Sequence, residues 1–336
     1  MKKRLTLLAK CLVSIAFLGI LFVSVDPQKL KEQFSQIDPL FAAAGVALSF
    51  VMVGASTWKW WLLLRIQNCP LPFKDLYRWY FVGYFYSNFL PSNVGGDVAR
   101  ALLAGKKAKS HSTVLISIFA ERFTGLIFLL LLAAVLPFTH PSLQAVPAVW
   151  MGSCVAGGGL FMIGLLMVFG LRATQMKIVQ GLLGFAQKIL RADRPGKTQK
   201  IWDRVAGKLS ILSVKLGELW TVLRQRPSAL LQVFCLTVLY YILAVGNVLL
   251  AYRAFGVWAD PAGIATVLPV ALMVAMIPVG LGSWGIAEGS YVYYFGLVGL
   301  GKGLTLAMGI FLRMKILLLG LVGLVVHLKE PVKPES

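Results

Sequence analysis

Long, continuous apolar runs dominate the pattern of hydrophobic and polar positions along the chain. Because an α-helix needs about 20 apolar residues to cross the hydrocarbon core of a bilayer, each such run predicts a membrane-spanning helix. The predicted spans are residues 5–25, 40–64, 113–138, 147–171, 228–252 and 303–327. The runs do not alternate with polar residues, which excludes a porin-type barrel. The pattern predicts an all-α polytopic membrane protein with about six full spans.

The first apolar run follows Met1, Lys2, Lys3 and Arg4, as the apolar part of a signal peptide would. The residues before Asp26, however, lack a cleavage site of small residues, and such a site is part of the signal-peptide pattern. We therefore expect this run to be a retained span, with a cleaved signal peptide as the alternative.

Composition and charge agree with this class and orient the chain. Hydrophobic residues make up 58% of the 336 residues, charged residues 14%, and the mean hydropathy is +0.78, values that exclude a soluble domain, a disordered chain and a disulfide scaffold. The net charge of +20 is concentrated in segments 1–4, 65–112 and 172–226, whereas 26–39 and 139–146 are acidic or neutral. By the positive-inside rule both termini are cytoplasmic, and the basic surplus faces anionic lipid head groups, so no nucleic-acid partner is expected.

Two features are expected at the cytoplasmic membrane surface. Segment 172–226 contains apolar residues at steps of three and four, which predict an amphipathic helical insert; they are Ile201, Val205, Leu209, Leu212, Leu216, Leu219 and Leu223. A soluble helical hairpin is the alternative. Trp58, Trp60 and Trp61 lie near the end of the second predicted span, where tryptophan typically anchors a helix at the interface.

Residues 76–99 are apolar but have basic residues on both sides, so one crossing would invert every later span. A re-entrant helical hairpin, which enters and leaves on the cytoplasmic side, removes this conflict. Its tip is predicted around Pro91, Gly95, Gly96 and Asp97, because proline breaks a helix, paired glycines permit a tight turn and aspartate caps the next helix.

Residues 262–301 behave in the same way from the outer side. Their predicted break contains Pro278, Gly280, Gly282 and Gly285, and Pro91 and Gly95 superpose on Pro278 and Gly282. Paired breaks at corresponding places are typical of inverted-repeat transporters. We therefore expect one membrane domain, residues 1–336, built from repeats 1–138 and 147–327. Ordinary helix kinks are the alternative.

Ionisable residues within predicted spans are costly and mark candidate sites. Glu121 shares a helical stripe with Thr113, Ser117 and Thr124 and is expected to face the interior, whereas Arg122 is turned about 100° away. Arg313 lies on a stripe of small residues, with Thr305, Gly309, Gly320 and Gly323, that is expected to pack closely on other helices. Lys315 lies on nearly the opposite face.

Glu288 follows the second break. It is expected to be a partner of Arg313, a charge that contacts the cargo or a proton-coupled switch, and a dipole-favoured helix start is the structural alternative. Arg100, Arg122 and Arg313 can give forked hydrogen bonds to phosphate oxygens. The cysteines and histidines show no metal-ligand spacing, so we expect neither a metal nor a cofactor.

These motifs resemble those of the lysylphosphatidylglycerol synthase transmembrane-region family, the flippase-like membrane domain of the multiple peptide resistance factor. The similarity rests on Leu-Pro-x-x-x-Gly-Gly-Asp-x-x-Arg at 90–100, on Glu121-Arg122 and on Pro-x-Gly-x-Gly-x-x-Gly-x-x-Glu at 278–288. The resemblance implies lipid translocation across a bacterial-type inner membrane through two re-entrant helices. We expect a stand-alone member of this family, without the soluble aminoacyl-transferase domain of the full synthase, so synthesis of a lysyl lipid is not implied.

The leading hypothesis is a flippase for an anionic, phosphate-bearing lipid, with Arg100, Glu121, Arg122, Glu288, Arg313 and Lys315 as candidate substrate-binding residues. A lipid-modifying enzyme, a soluble-anion transporter and an accessory subunit for envelope glycosylation are the alternatives. The sequence contains no Walker loop, H-E-x-x-H or G-x-S-x-G motif, which argues against the enzyme. A second copy of the chain and envelope-biosynthesis enzymes are candidate protein partners.

Overall fold

The computed structural model describes residues 27–89, 95–140, 143, 146–170, 226–276 and 285–329. The first predicted span, the insert at 172–226 (apart from Arg226) and Pro91, Pro278, Gly280 and Gly282 at the predicted breaks lie outside these residues.

The described residues form α-helices joined by short connections and one 3₁₀ turn. In chain order they are α1 (Pro27–Ser35), α2 (Pro39–Ile66), α3 (Phe73–Phe89), α4 (Gly95–Ala108), α5 (His111–Val135), the 3₁₀ turn Leu136–Thr139, α6 (Pro147–Gly170), α7 (Pro227–Ala254), α8 (Pro261–Ala275), α9 (Ile286–Gly296) and α10 (Lys302–Lys329).

Five of these helices, namely α2, α5, α6, α7 and α10, are long and apolar enough to cross a membrane. They correspond to the second to sixth predicted spans. The prediction of an all-α polytopic membrane protein is confirmed.

Two of the helix starts are set by an Asp-Pro pair. Asp38 accepts hydrogen bonds from the amides of Leu40 and Phe41 at the start of α2, and Asp260 accepts from Ala262 and Gly263 at the start of α8. The aspartate satisfies amides that have no partner within the helix, and the following proline needs none.

Helices α3 and α4 form an antiparallel hairpin, the first hairpin, residues 73–108. Lys107 pairs with Asp75 at its open end, the Arg100 guanidinium lies 4.1 Å from the Tyr80 ring in its middle, and Gly96 contacts Gly83 near its tip. The chain therefore returns to the end at which α3 began. The hairpin extends beyond the predicted 76–99 because its helices continue into polar residues at the open end.

Helices α8 and α9 form the second hairpin, residues 261–296. The Ser290 hydroxyl donates to the Ala271 carbonyl at 3.1 Å, and at the open end Gly263 lies against Val298. These contacts also run antiparallel, so this segment, predicted at 262–301, turns back as well.

The two hairpins approach the middle of α10 from opposite ends. Asn88, near the tip of the first hairpin, donates to the Ile316 carbonyl at 3.1 Å, and Glu288, near the tip of the second, pairs with Arg313 at 2.8 Å. Because α10 runs from 302 to 329, both contacts lie at its centre. Both α3 and α9 run antiparallel to α10, so the first hairpin opens at its carboxyl end and the second at its amino end.

Close backbone approach holds the two helices of the first hairpin together and holds the hairpin against α10. A Cβ at Gly323 would collide with the backbone of Phe81, and one at Gly96 would collide with Gly83. Only glycine leaves this space, which agrees with the predicted small-residue stripe on α10.

The apolar core includes one cluster of buried side chains around each hairpin. One cluster of buried side chains packs around the first hairpin and includes Trp60, Leu76, Val114 and Leu319. Another packs around the second and includes Tyr252, Ile264, Phe295 and Met308.

Candidate functional site

A cavity of about 420 Å³ lies between Tyr80 of the first hairpin and the start of α9 in the second. Helices α2, α3, α5, α7, α8, α9 and α10 contribute to its wall. Its charged lining residues are Lys59, Glu121, Arg122, Glu288 and Arg313, and its aromatic ones are Tyr80, Phe128, Tyr240, Tyr241 and Tyr291. The volume is within the usual range of ligand pockets, and the mixture of aromatic walls with few polar groups is typical of them.

Arg100 lies behind one wall of the cavity and joins two carboxylates. It is 1% exposed, donates to Glu121 at 3.2 Å and donates to Asp97 at 2.7 Å. Its guanidinium also lies over the rings of Trp60 and Tyr80. A buried cation is stable only when it is paired in this way, so Arg100 holds α4 against α5.

Glu121 faces the interior, as its stripe predicts. It is 5% exposed and accepts hydrogen bonds from Arg100 and from the Tyr80 hydroxyl. Trp60, expected at the membrane interface, is instead fully buried and donates to Ser117 at 2.9 Å. The anchoring prediction is wrong for Trp60 because the ring packs under Arg100.

Arg122 pairs with Asp97 through two of its nitrogens, at 3.2 and 3.1 Å. Its side chain is 59% exposed although it lines the cavity. The expected rotation away from Glu121 thus directs Arg122 to the open space of the cavity. The arginine retains donors for a ligand while Asp97 holds it in place.

Glu288 joins the second hairpin to α10. One of its oxygens accepts from Arg313 at 3.0 and 2.8 Å, and the other accepts from the Gly285 amide at 2.7 Å. The predicted ion pair and the alternative helix-start role therefore coexist. Gly285 has φ +82°, a left-handed conformation that favours glycine.

The two arginine–carboxylate pairs occupy equivalent positions in the two halves. Asp97 and Glu288 are the third residues of α4 and α9, and Arg122 and Arg313 are the twelfth residues of α5 and α10. In both pairs the partners are 25 residues apart. An alignment of the sequence that places Pro91 on Pro278 does not align Asp97 with Glu288. The reason is that five residues separate α3 from α4, whereas ten separate α8 from α9.

Lys315 lies away from the cavity. Its ammonium donates to the Asn247 side chain at 2.5 Å and to the Gly45 carbonyl at 3.4 Å, and it is 3% exposed. These contacts connect α10 to α2 and α7. The structure therefore brings together five of the six candidate substrate-binding residues but not Lys315.

Lys59 lines the cavity and was not a candidate on the sequence. It is 8% exposed and lies within α2, two turns before its end. A lysine inside an apolar span is a sequence feature that could identify it as a site residue, but its tryptophan neighbours favour a position at the membrane interface. The described residues contain no group of three or more histidine, cysteine or acidic side chains able to hold a metal ion.

The chain is similar over most of its length to known membrane proteins. The family described as "Lysylphosphatidylglycerol synthase TM region" matches residues 7–323. A protein described as "UPF0104 membrane protein", from Methanothermobacter thermautotrophicus, is 22% identical over 303 residues, which cover 88% of this chain and 86% of that protein. No solved structure matches the chain.

Proposed function

Because the chain belongs to the lysylphosphatidylglycerol synthase transmembrane-region family, we propose that it is a lipid translocase. It moves a phosphate-bearing lipid, such as a phospholipid, a polyprenyl phosphate or a lipid-linked glycan, across a bacterial-type inner membrane. Both termini lie in the cytoplasm, as the distribution of basic residues predicts.

The observation that carries this proposal is the equivalence of the Asp97–Arg122 and Glu288–Arg313 pairs across one cavity. Broken helices that meet at the centre of a bundle are the usual site of an inverted-repeat transporter. Arginine suits such a site because its planar fork binds two phosphate oxygens at once.

The two equivalent pairs differ in exposure, which supports an alternating mechanism. The side chain of Arg122 is 59% exposed, whereas that of Arg313 is 14% exposed. In an inverted repeat, exchange of the conformations of the two halves produces the opposite-facing state. Arg313 then becomes the accessible arginine and Arg122 the occluded one, while the head group passes between them.

Transport fits the cavity better than catalysis because its carboxylates already have arginine partners. Glu121 pairs with Arg100, and Glu288 pairs with Arg313. Both carboxylates are thus engaged in hydrogen bonds within the chain, whereas a general base must be within reach of the proton that it takes from its substrate.

The test is translocation in proteoliposomes that contain phosphatidylglycerol with a fluorescent acyl chain. A quencher that does not cross the bilayer reports how fast the labelled lipid reaches the outer leaflet. We expect the wild-type protein to accelerate this exchange, and Arg313→Ala to slow it by about 10-fold or more because a charge-assisted hydrogen bond contributes about 1.5–3 kcal/mol.

Lys302→Ala is the matched control, because it removes an exposed positive charge from the same helix at a position outside the cavity lining. Both variants must elute as the wild type does and keep its helical content. Wild-type vesicles that exchange lipid no faster than empty ones contradict the proposed function. Full activity in Arg313→Ala removes Arg313 from the mechanism.

A further inference from the structure

The carboxylates around the cavity are occupied by partners within the chain. Asp97 accepts from Arg100 and Arg122, whereas Glu121 accepts from Arg100 and Tyr80. Glu288 accepts from Arg313 and the Gly285 amide. Among the residues that the structure describes, the cavity therefore offers no uncommitted carboxylate to a cationic ligand.

Together with these three carboxylates, four cationic side chains form a charged cluster at the cavity, so the cations exceed the carboxylates by one. Arg100, Arg122 and Arg313 balance Asp97, Glu121 and Glu288, and Lys59 remains. When Lys59 is protonated, these seven side chains carry a net charge of +1, equal and opposite to that of one phosphodiester.

Lys59 is also the member of the cluster without a bonded partner. It is 92% buried, since its exposed fraction is 8%, and no described residue forms a hydrogen bond or an ion pair with its ammonium. Gly125 of α5 lies beside the ammonium, since an added Cβ there would lie 3.8 Å from Nζ. The absence of a side chain at Gly125 leaves space beside the ammonium, and both residues line the cavity.

An unpaired ammonium at this burial is unfavourable by several kcal/mol. The ammonium without a hydrogen-bond partner among the described residues, the adjoining space and the occupied carboxylates all favour an anion in the cavity. A lysine presents a point charge that suits a phosphate oxygen. The Tyr240 and Tyr291 side chains also line the cavity, and a tyrosine hydroxyl can pair with hydroxyl groups beyond the phosphate.

We propose that Lys59 binds the phosphate of the cargo and that the cavity selects lipids with a net negative head group over aminoacylated, cationic ones. This inference rests on the proposed function and adds to it the residue that binds the phosphate and the selection against cationic head groups. A lysyl head group would bring a second ammonium into a cluster whose carboxylates are already paired.

The experiment compares three labelled lipids in the same proteoliposomes: phosphatidylglycerol, lysylphosphatidylglycerol and phosphatidylcholine. We expect wild-type exchange of phosphatidylglycerol to be about 10-fold or more faster than that of either other lipid. Lys59→Met should reduce the phosphatidylglycerol rate by about 10-fold or more, because it removes a charge-assisted contact. Lys59→Arg should retain most of it, and Lys302→Met serves as the control for loss of an exposed charge.

Retention of phosphatidylglycerol by the purified protein, measured by native mass spectrometry, provides a readout that does not depend on transport. The wild type and Lys59→Arg should retain the lipid, and folded Lys59→Met should lose it. Uptake of labelled glycerol 3-phosphate into the same vesicles distinguishes a soluble phosphate from a lipid head group.

Several outcomes would overturn the inference. Equal exchange of phosphatidylglycerol and lysylphosphatidylglycerol, or unchanged exchange and retention in Lys59→Met, contradicts the role of Lys59 while leaving translocation intact. Exchange of no lipid by the wild type contradicts the proposed function, and retention by mass spectrometry then decides the role of Lys59 separately. Uptake of glycerol 3-phosphate without lipid exchange assigns the phosphate to a soluble anion and overturns the lipid part.

Discussion

Arg100 and Arg122 lie one helix apart and share Asp97, but their surroundings give them different roles. Arg100 is buried among two carboxylates and two aromatic rings, whereas the side chain of Arg122 is 59% exposed in the cavity. Burial makes the first arginine a structural connection between α4 and α5, and exposure leaves the second available to a ligand.

Replacement of these arginines should therefore separate stability from transport. Arg100→Met leaves the buried carboxylate of Glu121 without its cation, which should cost about 3–5 kcal/mol and lower the unfolding temperature in detergent. Arg122→Gln should change stability by less than about 1 kcal/mol, because exposed ion pairs contribute little, yet slow phosphatidylglycerol exchange.

Thermal unfolding and lipid exchange measured on the same preparations check this prediction. An Arg100→Met protein as stable as the wild type would contradict the structural role of Arg100. An Arg122→Gln protein that unfolds early, or that exchanges lipid at the wild-type rate, would contradict the ligand-facing role of Arg122.

The sequence predicts the position of Glu121 but not that of Lys59, for a physical reason. Glu121 repeats with Ser117 at a helical period, so its direction follows from the helix itself. Lys59 stands between Trp58 and Trp60, and a lysine beside tryptophan is typical of a membrane interface. Its burial depends on how α2 packs against α5, which no local pattern specifies.

At the scale of single helices, the first hairpin depends on how closely α3 can approach α10. Gly323 provides that approach, since a Cβ there would collide with the carbonyl of Phe81. Asn88 then reaches the Ile316 carbonyl at the centre of α10. How far α3 reaches along α10 thus depends on a glycine of α10.

Gly323→Ala should displace α3 and destabilise the protein by about 1–3 kcal/mol, because an added methyl group overpacks the contact. Gly157→Ala on α6 is the matched control: a Cβ there meets nothing within 4 Å, and alanine favours a helix by about 0.5–1 kcal/mol relative to glycine. The unfolding temperatures of the two variants in detergent test this prediction, and we expect the lower one for Gly323→Ala. A Gly323→Ala protein as stable as Gly157→Ala would contradict the close contact.

Proline and glycine at the breaks predict the hairpins because these residues interrupt a helix wherever they stand. The extent of the hairpins is harder to predict. Helix α4 continues through Lys106 and Lys107, beyond the predicted segment, because a helix can leave the apolar region without ending. The unequal breaks likewise conceal the match between Asp97 and Glu288, which appears only when the helix starts are known.

For the whole molecule, the proposed translocation requires that the two hairpins open toward opposite faces of the membrane. The open end of the first lies at the carboxyl end of α10, and that of the second lies at its amino end, as the contacts of Gly323 and Gly309 show. The basic residues around the first hairpin predict that its open end is cytoplasmic. In this arrangement Arg122 and Arg313 line one cavity, each paired with a carboxylate from a different hairpin.

Cysteine labelling from each side of the membrane tests this arrangement most directly. In a background without native cysteines, single cysteines replace exposed residues at the open ends: Lys74 and Lys107 for the first hairpin, Trp258 and Lys302 for the second. We predict that a maleimide that does not cross the membrane labels Lys74→Cys and Lys107→Cys only from the cytoplasmic side, and Trp258→Cys and Lys302→Cys only from the outer side. Labelling of Lys74→Cys and Lys107→Cys from opposite sides, or of all four from one side, would contradict the account.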